Sequence, residues 1–280
     1  IKSCSDLWKK KTYVLKMDIR GYFIHINRLK LLKISSDSLN KMRFHKIHKN
    51  ANLKWDDILD FNFIQYLNEV IILNDPAINC IKKSPDEAWL GLPKSKSLFF
   101  TEENCGLPIG NLTSQLMSNV YLNVFDQYMK RVLKCKHYGR YVDDSYVVSN
   151  DKEFLKQVIL KAKYFLKSEL GLELHMGKTK IINVNYGIEF LGGYIKPFRT
   201  YISNTTLKRA ETKLYVFNVR ATYDKNIYGM VNSYLGMFSH YDSNHVKYEL
   251  FSKIDSLKQY GYFTENMKFF KPYIKVKMGN

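Results

Sequence analysis

Short apolar runs rich in β-forming residues occur at several points along the chain and predict strands. Residues 12–26 ("TYVLKMDIRGYFIHI") form such a run, and Asp18 lies inside it. The runs "HYGRYV" and "SYVVS" flank Asp143 and Asp144, so they predict a tight β-hairpin with two acids at its turn. The segments "TKIINV" and "IEFLGGYI", within residues 179–195, predict two further short strands with a turn between them.

Helical spacing dominates other parts of the chain. Apolar residues recur every four positions over residues 116–132, which predicts a strongly amphipathic helix. A second apolar helical face covers residues 154–166, with Asp151 as a candidate N-cap and Gly171 as the expected end. The chain is also helical and basic from about residue 204 onward.

The remaining segments are less regular. Residues 35–75 have mixed helical character. Residues 76–106 contain three of the six prolines, so we expect mainly loop with a short strand. The boundary between two lobes is expected at residues 197–203, where the pattern changes from strand to basic helix.

Composition adds an expected partner to this picture. Lys and Arg total 44 against 26 Asp and Glu, which gives a formal net charge of +18. Such an excess favours a polyanionic partner, with nucleic acid ahead of an anionic membrane. Aromatic residues make up 15% of the chain, which suits base stacking as well as core packing. We expect no membrane insertion, because no apolar run approaches the length of a span.

The four cysteines, Cys4, Cys80, Cys105 and Cys135, are too far apart in sequence for a paired zinc motif. Without a signal peptide ahead of them, they are interpreted as reduced thiols in a cytoplasmic protein.

The paired acids at 143 and 144 have two interpretations. Asp is a favoured turn residue, so a solvated hairpin tip explains them without any chemistry. Alternatively, if the strand that ends near Asp18 lies beside this hairpin, three carboxylates meet at one sheet edge. Two metal ions about 4 Å apart could be held by such a cluster. Gly110, before a predicted helix, would let a phosphate or a base approach the backbone closely.

Five segments in chain order resemble the motifs of a reverse transcriptase palm. "DIRGYF" from Asp18 resembles the first catalytic motif, "GLPIGNLTSQ" the template- and nucleotide-contacting motif, and YVDD the third motif. "LGLELHMGKTK" resembles the fourth motif and "EFLGGYI" the primer grip. "SYLGMFSHYDS" looks like part of a thumb.

The resemblance implies an α+β fold: a right-hand polymerase palm, in which helices back an antiparallel sheet, followed by a helical thumb. We assign residues 1–203 to the palm with residual fingers and residues 204–280 to the basic helical thumb. Only 17 residues precede Asp18, and "WKKK" (residues 8–11) does not replace the N-terminal fingers strands of the family. Because the chain also begins at Ile1, we interpret it as N-terminally incomplete and expect inactivity unless the fingers are restored.

The implied activity is RNA-directed DNA polymerisation by two-metal nucleotidyl transfer, with two Mg²⁺ ions, or Mn²⁺ in their place. Asp18 and Asp143 would bind both metals, the backbone carbonyl of Ile19 would add a ligand, and Asp144 would complete the acidic cluster. The implied partners are an RNA template, a DNA or RNA primer and dNTPs. The alternatives are another bacterial reverse transcriptase of retron or phage-defence type, a catalytically inactive RNA-binding palm, or a basic structural domain.

The resemblance also implies roles for an aromatic residue and for a lysine near the proposed site. Phe23 matches the bulky steric gate that excludes a 2′-hydroxyl, although either Phe23 or its neighbour Tyr22 should be a core residue. Lys178 or Lys180 would lie near the pyrophosphate as an acid or counter-charge, and the alternative is a solvated loop lysine.

The nucleotide-contacting motif departs from the QGxxxSP form that is usual in the family. Here Ile109 precedes Gly110 and Asn111, and Gln115 stands where Pro is usual. Ile109 cannot hydrogen-bond an incoming nucleotide, so part of the geometric check on pairing should be lost. The IGxxxSQ form is similar to that of diversity-generating retroelement reverse transcriptases. That subtype implies error-prone copying of a template-repeat RNA, and a small basic accessory protein that assembles as a ring.

Overall fold

The computed structural model of the chain describes residues 11–48, 52–78, 80–81, 83–220, 226–242 and 244–273. These residues form two compact units, one over Thr12–Ile181 and the other from Ile182 onward. Each unit has its own apolar core. Most of "WKKK" lies outside the described residues.

The first unit combines a sheet with helices. Its strands are β1 (Tyr13–Met17), β2 (His137–Tyr141), β3 (Asp144–Ser149) and the start of β4 (Lys180–Asn183), in the spatial order β2-β3-β1-β4. Its helices are α1 (Tyr22–His25), α2 (Arg28–Arg43), α3 (Phe61–Leu73), α4 (Leu112–Gln127) and α5 (Lys152–Phe165). Helices α4 and α5 each continue into a π-helical turn, Tyr128–Val132 and Leu166–Leu170.

Strand β3 pairs antiparallel with both β1 and β2. The register runs from Tyr13 opposite Ser149 to Met17 opposite Ser145 on one side, and ends with Tyr141 opposite Asp144 on the other. Side chains alternate between the faces of a strand, and one face of this sheet meets helices α4 and α5 in a shared core. That core contains Leu15, Met17, Val147, Tyr121, Leu122, Phe125, Leu155, Val158 and Ala162.

The two predicted amphipathic helices are confirmed. Helix α5 begins where Asp151 accepts a hydrogen bond from the backbone N–H of Phe154 (2.9 Å), and the helical segment ends at Gly171 with a φ of 68°. An N-cap carboxylate satisfies one of the N–H groups that a helix leaves unpaired. The mixture of helices and antiparallel strands confirms the predicted α+β class.

The predicted strand that ends near Asp18 is confirmed, but the β-rich segment that continues to residue 26 does not extend it. β1 ends at Met17, and residues 22–25 form the single-turn helix α1 instead. Gly21 precedes α1 with a φ of 53°, a left-handed conformation that costs glycine little. The backbone N–H of Arg20 donates to the carbonyl of Glu173 (2.8 Å), so the chain leaves the ladder here.

Two other segments also differ from expectation. Residues 76–106 contain short 3₁₀ helices and no regular strand among the residues described; Cys105 forms only an isolated bridge with Asn27. "IEFLGGYI" holds a complete hairpin rather than one strand, because Leu191 and Gly192 turn the chain with φ values of 51° and 79°.

The second unit surrounds a separate core. It contains β5 (Ile188–Phe190), β6 (Gly193–Lys196) and β7 (Arg199–Ile202) in one antiparallel sheet, and β8 (Gly261–Phe263) with β9 (Phe270–Pro272) in another. Its helices are α6 (Asn204–Arg220), α7 (Ile227–Phe238) and α8 (Asn244–Ser252). Ile202 of β7 shares the core of these helices, so the compact units divide before the three-stranded sheet. The functional boundary at residues 203/204 stays a prediction.

Two broader expectations concern cysteines and membranes. Cys80, Cys105 and Cys135 are free thiols, and Cys4 lies outside the described residues. Among the helices that the structure describes, none has both the length and the apolar character needed to cross a bilayer.

We predict that Tyr121→Phe lowers the free energy of unfolding by about 1–3 kcal/mol, because a buried acceptor then loses its partner. The Tyr121 hydroxyl is buried in the core and donates to the carbonyl of Leu170 (2.6 Å). Urea unfolding followed by circular dichroism measures the change. Tyr164→Phe, at a tyrosine that is 75% exposed, is the control and should change stability by less than about 0.5 kcal/mol.

Candidate active site

Three carboxylates meet at one edge of the first sheet. Asp18 directly follows β1, Asp143 lies in the two-residue turn between β2 and β3, and Asp144 begins β3. Met17 is the last residue of β1 in register, opposite Ser145, so the next positions along the two strands are Asp18 and Asp144. The structure thereby brings together three acids that lie up to 126 positions apart in sequence.

The charges of these acids act on one another. Burial raises the pKa of Asp143 above its usual value, and the nearby carboxylates of Asp18 and Asp144 raise that pKa further. A hydrogen bond from its own backbone and the positive charge of Lys178 oppose this rise. Negative groups crowded in a partly buried place resist joint ionisation, so the cluster favours cations.

Two lysines pair with the outer acids. Lys178 Nζ lies 2.9 Å from Asp18 Oδ2, and Lys16 Nζ lies 3.4 Å from Asp144 Oδ1. The hydrogen bond to Asp18 raises the pKa of Lys178, and the charges of Asp144 and Asp143 add to that rise. Lys178, rather than Lys180, therefore contacts the acidic cluster. Lys16 was missed in the sequence, although its position two residues before Asp18 places both on one face of β1.

The donor set suits a hard divalent cation. Carboxylate oxygens are the ligands that Mg²⁺ prefers, and Asp144 Oδ1 is buried with the ion pair to Lys16 but no hydrogen bond. Within the part of the chain that the structure describes, however, no three Asp, Glu, His or Cys side chains are arranged to hold one metal ion. In this structure the ammonium groups of Lys178 and Lys16 balance the negative charges of Asp18 and Asp144. Ile19 directly follows Asp18, in an isolated β-bridge with Leu174.

The adjacent aromatic residues Tyr22 and Phe23 separate into a core residue and a partly exposed one. Tyr22 is buried, and its hydroxyl donates to the carbonyl of Ser118 in α4. Phe23 is partly exposed and meets the Tyr22 ring edge-on, with ring centroids 5.4 Å apart. The pair lies on the short helix α1 and not on a strand, but the core position still belongs to Tyr22.

The candidate nucleotide-contacting residues lie at the exposed start of α4. Ile109 is 79% exposed, and Gly110 has a φ of 107°, which a residue with a side chain rarely adopts. Asn111 is the N-cap residue of α4, although its side chain makes no capping hydrogen bond. Gln115 is exposed, and its backbone N–H donates to the carbonyl of Asn111 (3.2 Å).

We predict that Asp143→Asn raises the melting temperature at neutral pH in metal-free buffer. The pKa of Asp143 is higher in the folded protein than in the unfolded chain, so its ionised form destabilises the fold above both values. The gain should shrink as the pH falls through the folded pKa, and should be absent below the ordinary value of 3.8. Thermal unfolding at several pH values measures it. A gain independent of pH, or an equal gain in exposed Asp37→Asn, would contradict this explanation.

Known proteins that match this chain include a solved structure and a curated protein. Telomerase from Candida tropicalis, in complex with a fragment of telomeric RNA, matches the structure with a TM-score of 0.50 and 13% sequence identity. The match covers 92% of this chain and 40% of the telomerase chain, and at this identity it shows a shared fold alone. Protein YkfC of Escherichia coli (strain K12) is 32% identical over 119 residues, with 31% of each chain covered. The chain thus spans less than half the length of either relative.

The family assignment rests on a longer match. The family described as reverse transcriptase (RNA-dependent DNA polymerase) matches residues 1–195, which is more than half of the 280 residues. The match includes Asp18, the start of α4 and the acidic hairpin. The chain therefore belongs to the reverse transcriptase family, and its α+β fold is that of the polymerase palm predicted from the sequence.

Proposed function

We propose that this chain carries the polymerase site of an RNA-directed DNA polymerase, which copies an RNA template into cDNA from a DNA or RNA primer and dNTPs. One observation carries the proposal: Asp18, Asp143 and Asp144 converge at one sheet edge, where the pKa of Asp143 is raised by burial and by the other two acids. Clustering three carboxylates costs free energy, and a family member with no catalytic role would have no use for such a cluster.

Reverse transcriptases in general use divalent metal ions. In the proposed site, Asp18 and Asp143 would hold two Mg²⁺ ions, the Ile19 carbonyl would add a ligand and Asp144 would complete the acidic cluster. Bound cations of this kind activate a 3′-hydroxyl and stabilise a leaving pyrophosphate, and Mn²⁺ can replace Mg²⁺.

Lys178 would change partners during this cycle. Its side chain is 60% exposed and ends in a flexible ammonium group that donates to Asp18 (2.9 Å). Lys178 would release Asp18 when that carboxylate serves as a metal ligand. Lys178 would then stand beside the substrate triphosphate as a counter-charge or proton donor.

Phe23 and the start of α4 would select the nucleotide. A partly exposed aromatic ring five residues after Asp18 suits a steric gate that leaves no room for a 2′-hydroxyl. Gly110 would let the substrate approach the backbone closely, and Asn111 and Gln115 are exposed polar groups on the same segment.

We predict that, in a parent protein with its N-terminal fingers restored, Asp143→Ala lowers the rate of primer extension on an RNA template with Mg²⁺ by roughly 1,000-fold, since metal stabilisation of the transition state is worth several kcal/mol. Asp37→Ala, at an exposed acid of α2, should extend primers at the parent rate. If Asp143→Ala extends as well as the parent, Asp143 is not catalytic. A parent that binds RNA but never extends a primer would favour the RNA-binding palm.

We further infer that the enzyme is of the diversity-generating retroelement type, with error-prone copying opposite adenine. The IGxxxSQ form of the motif supports this, and Ile109 presents an exposed apolar side chain where the usual form has an amide. A small basic accessory protein that assembles as a ring would be a partner. A retron or phage-defence enzyme is the alternative, and it would lack a neighbouring accessory gene and a repeat pair that differs at adenines.

We predict that Ile109→Gln lowers misincorporation opposite template adenine about three- to tenfold, the value of one added hydrogen bond to the correct nucleotide. Sequencing of cDNA made from a defined RNA template gives the error rate. Leu116→Gln, at a residue of α4 that follows the motif and is 60% exposed, is the matched control and should leave the error rate unchanged. Equal error rates in the parent and in Ile109→Gln would remove Ile109 from the mechanism.

A further inference from the structure

Arg140, on β2, makes four hydrogen bonds from an almost buried side chain that is 8% exposed. Its Nε and Nη2 donate to the two carboxylate oxygens of Asp126 on α4, at 2.8 and 2.7 Å. Its Nη1 donates to the backbone carbonyl of Val142 (2.8 Å) and to Asn119 Oδ1 (3.1 Å). The Tyr138 hydroxyl also donates to Asp126 (2.6 Å), so the carboxylate that orients the guanidinium is itself held.

The carbonyl that Arg140 holds belongs to a strained residue. Val142 has a φ of 55°, in the left-handed region, where a β-branched side chain meets steric conflict. Such a conformation persists only where surrounding contacts enforce it, and it often marks a functional site. Val142 is the first residue of the hairpin turn, and the peptide group that carries its carbonyl leads directly into Asp143.

The same guanidinium connects the turn to the start of α4. Asn119, which accepts from Arg140, donates through Nδ2 to the carbonyl of Gln115 (3.0 Å). Ser118, the next residue back along α4, accepts from Tyr22 at its carbonyl, and its hydroxyl donates to the Gln115 carbonyl (2.9 Å). One continuous network thus joins the acidic turn to two other segments that we assign to the nucleotide site.

We propose that Arg140 is a positioning residue that enforces the left-handed conformation of Val142 and so fixes Asp143 for metal binding. Asp126 orients its guanidinium, and Asn119 couples it to the nucleotide-contacting end of α4. A planar guanidinium is needed because two of its nitrogens donate to Asp126 while the third donates to the carbonyl of Val142. A lysine ammonium group cannot make this set of contacts. The inference rests on the proposed polymerase function. The purely structural alternative is a buried ion pair that only joins α4 to β2.

Kinetics of primer extension, with the N-terminal fingers restored in the parent and in each variant, provide the first test. Arg140→Lys keeps the positive charge but removes the planar guanidinium. We expect kcat to fall about 100-fold, as for a small misplacement of a catalytic group. KM for dNTP should stay within about twofold, since no nucleotide contact is removed. Adding Val142→Gly should recover at least tenfold of the lost kcat, because glycine adopts a φ of 55° without steric conflict. Arg131→Lys, at an exposed arginine on the π-helical turn, is the matched control and should match the parent.

Amide hydrogen exchange tests the same contact without polymerase activity. In Arg140→Lys, exchange at residues 142–144 should be at least about tenfold faster than in the parent, while exchange in α5 stays unchanged. If the parent extends no primer but this local effect occurs, the polymerase proposal fails and the positioning contact stands. A purely structural ion pair would instead lower the melting temperature without a local change at the turn.

The decisive outcomes are therefore distinct. The proposal is wrong if folded Arg140→Lys retains kcat within about threefold of an active parent, if Val142→Gly rescues nothing, or if exchange at the turn is unchanged. Should Arg140→Lys fail to fold, Asn119→Ala decides, because it leaves the Asp126 pair intact. That variant should accelerate exchange at residue 142, and parent-like exchange there would refute the network.

Discussion

Antiparallel pairing of β1 with β3 determines which side chains meet at the acidic edge of the sheet. With Met17 opposite Ser145, the next residues along the two strands are Asp18 and Asp144. A slip of one residue would move every side chain of β1 to the other face, which would bury Lys16 and Asp18 in the apolar core. The core residues that fix this register, such as Leu15 and Val147, therefore also assemble the site.

Assembly of the acids has an electrostatic cost that the surrounding side chains offset. The pKa of Asp143 is raised by burial and by its acidic neighbours, while lysines balance Asp18 and Asp144. A site with this charge distribution attracts cations. The arrangement that we propose for catalysis is thus unfavourable for stability.

Local sequence predicted some elements well and others poorly, for identifiable reasons. Helix α5 was predictable because its cap, its apolar face and its terminal glycine all agree. β1 is shorter than its apolar run, because the left-handed Gly21 and a backbone hydrogen bond from Arg20 to Glu173 turn the chain out of the sheet. The β-rich composition that continues to Ile26 contributes buried side chains to a helix instead, which residue composition alone does not distinguish.

The sequence by itself determined the family, the order of the motifs and the identity of the three candidate acids, Asp18, Asp143 and Asp144. These features depend on residue identity and spacing. Only the tertiary structure decided which lysine contacts Asp18, which of Tyr22 and Phe23 is the core residue, and that Arg140 holds Val142. Each of these depends on contacts between residues distant in sequence or on backbone torsion angles, neither of which a local pattern encodes. In the sequence, Arg140 before the acidic turn cannot be distinguished from a solvated surface arginine. The structure shows that it pairs with Asp126, on a helix packed against the sheet.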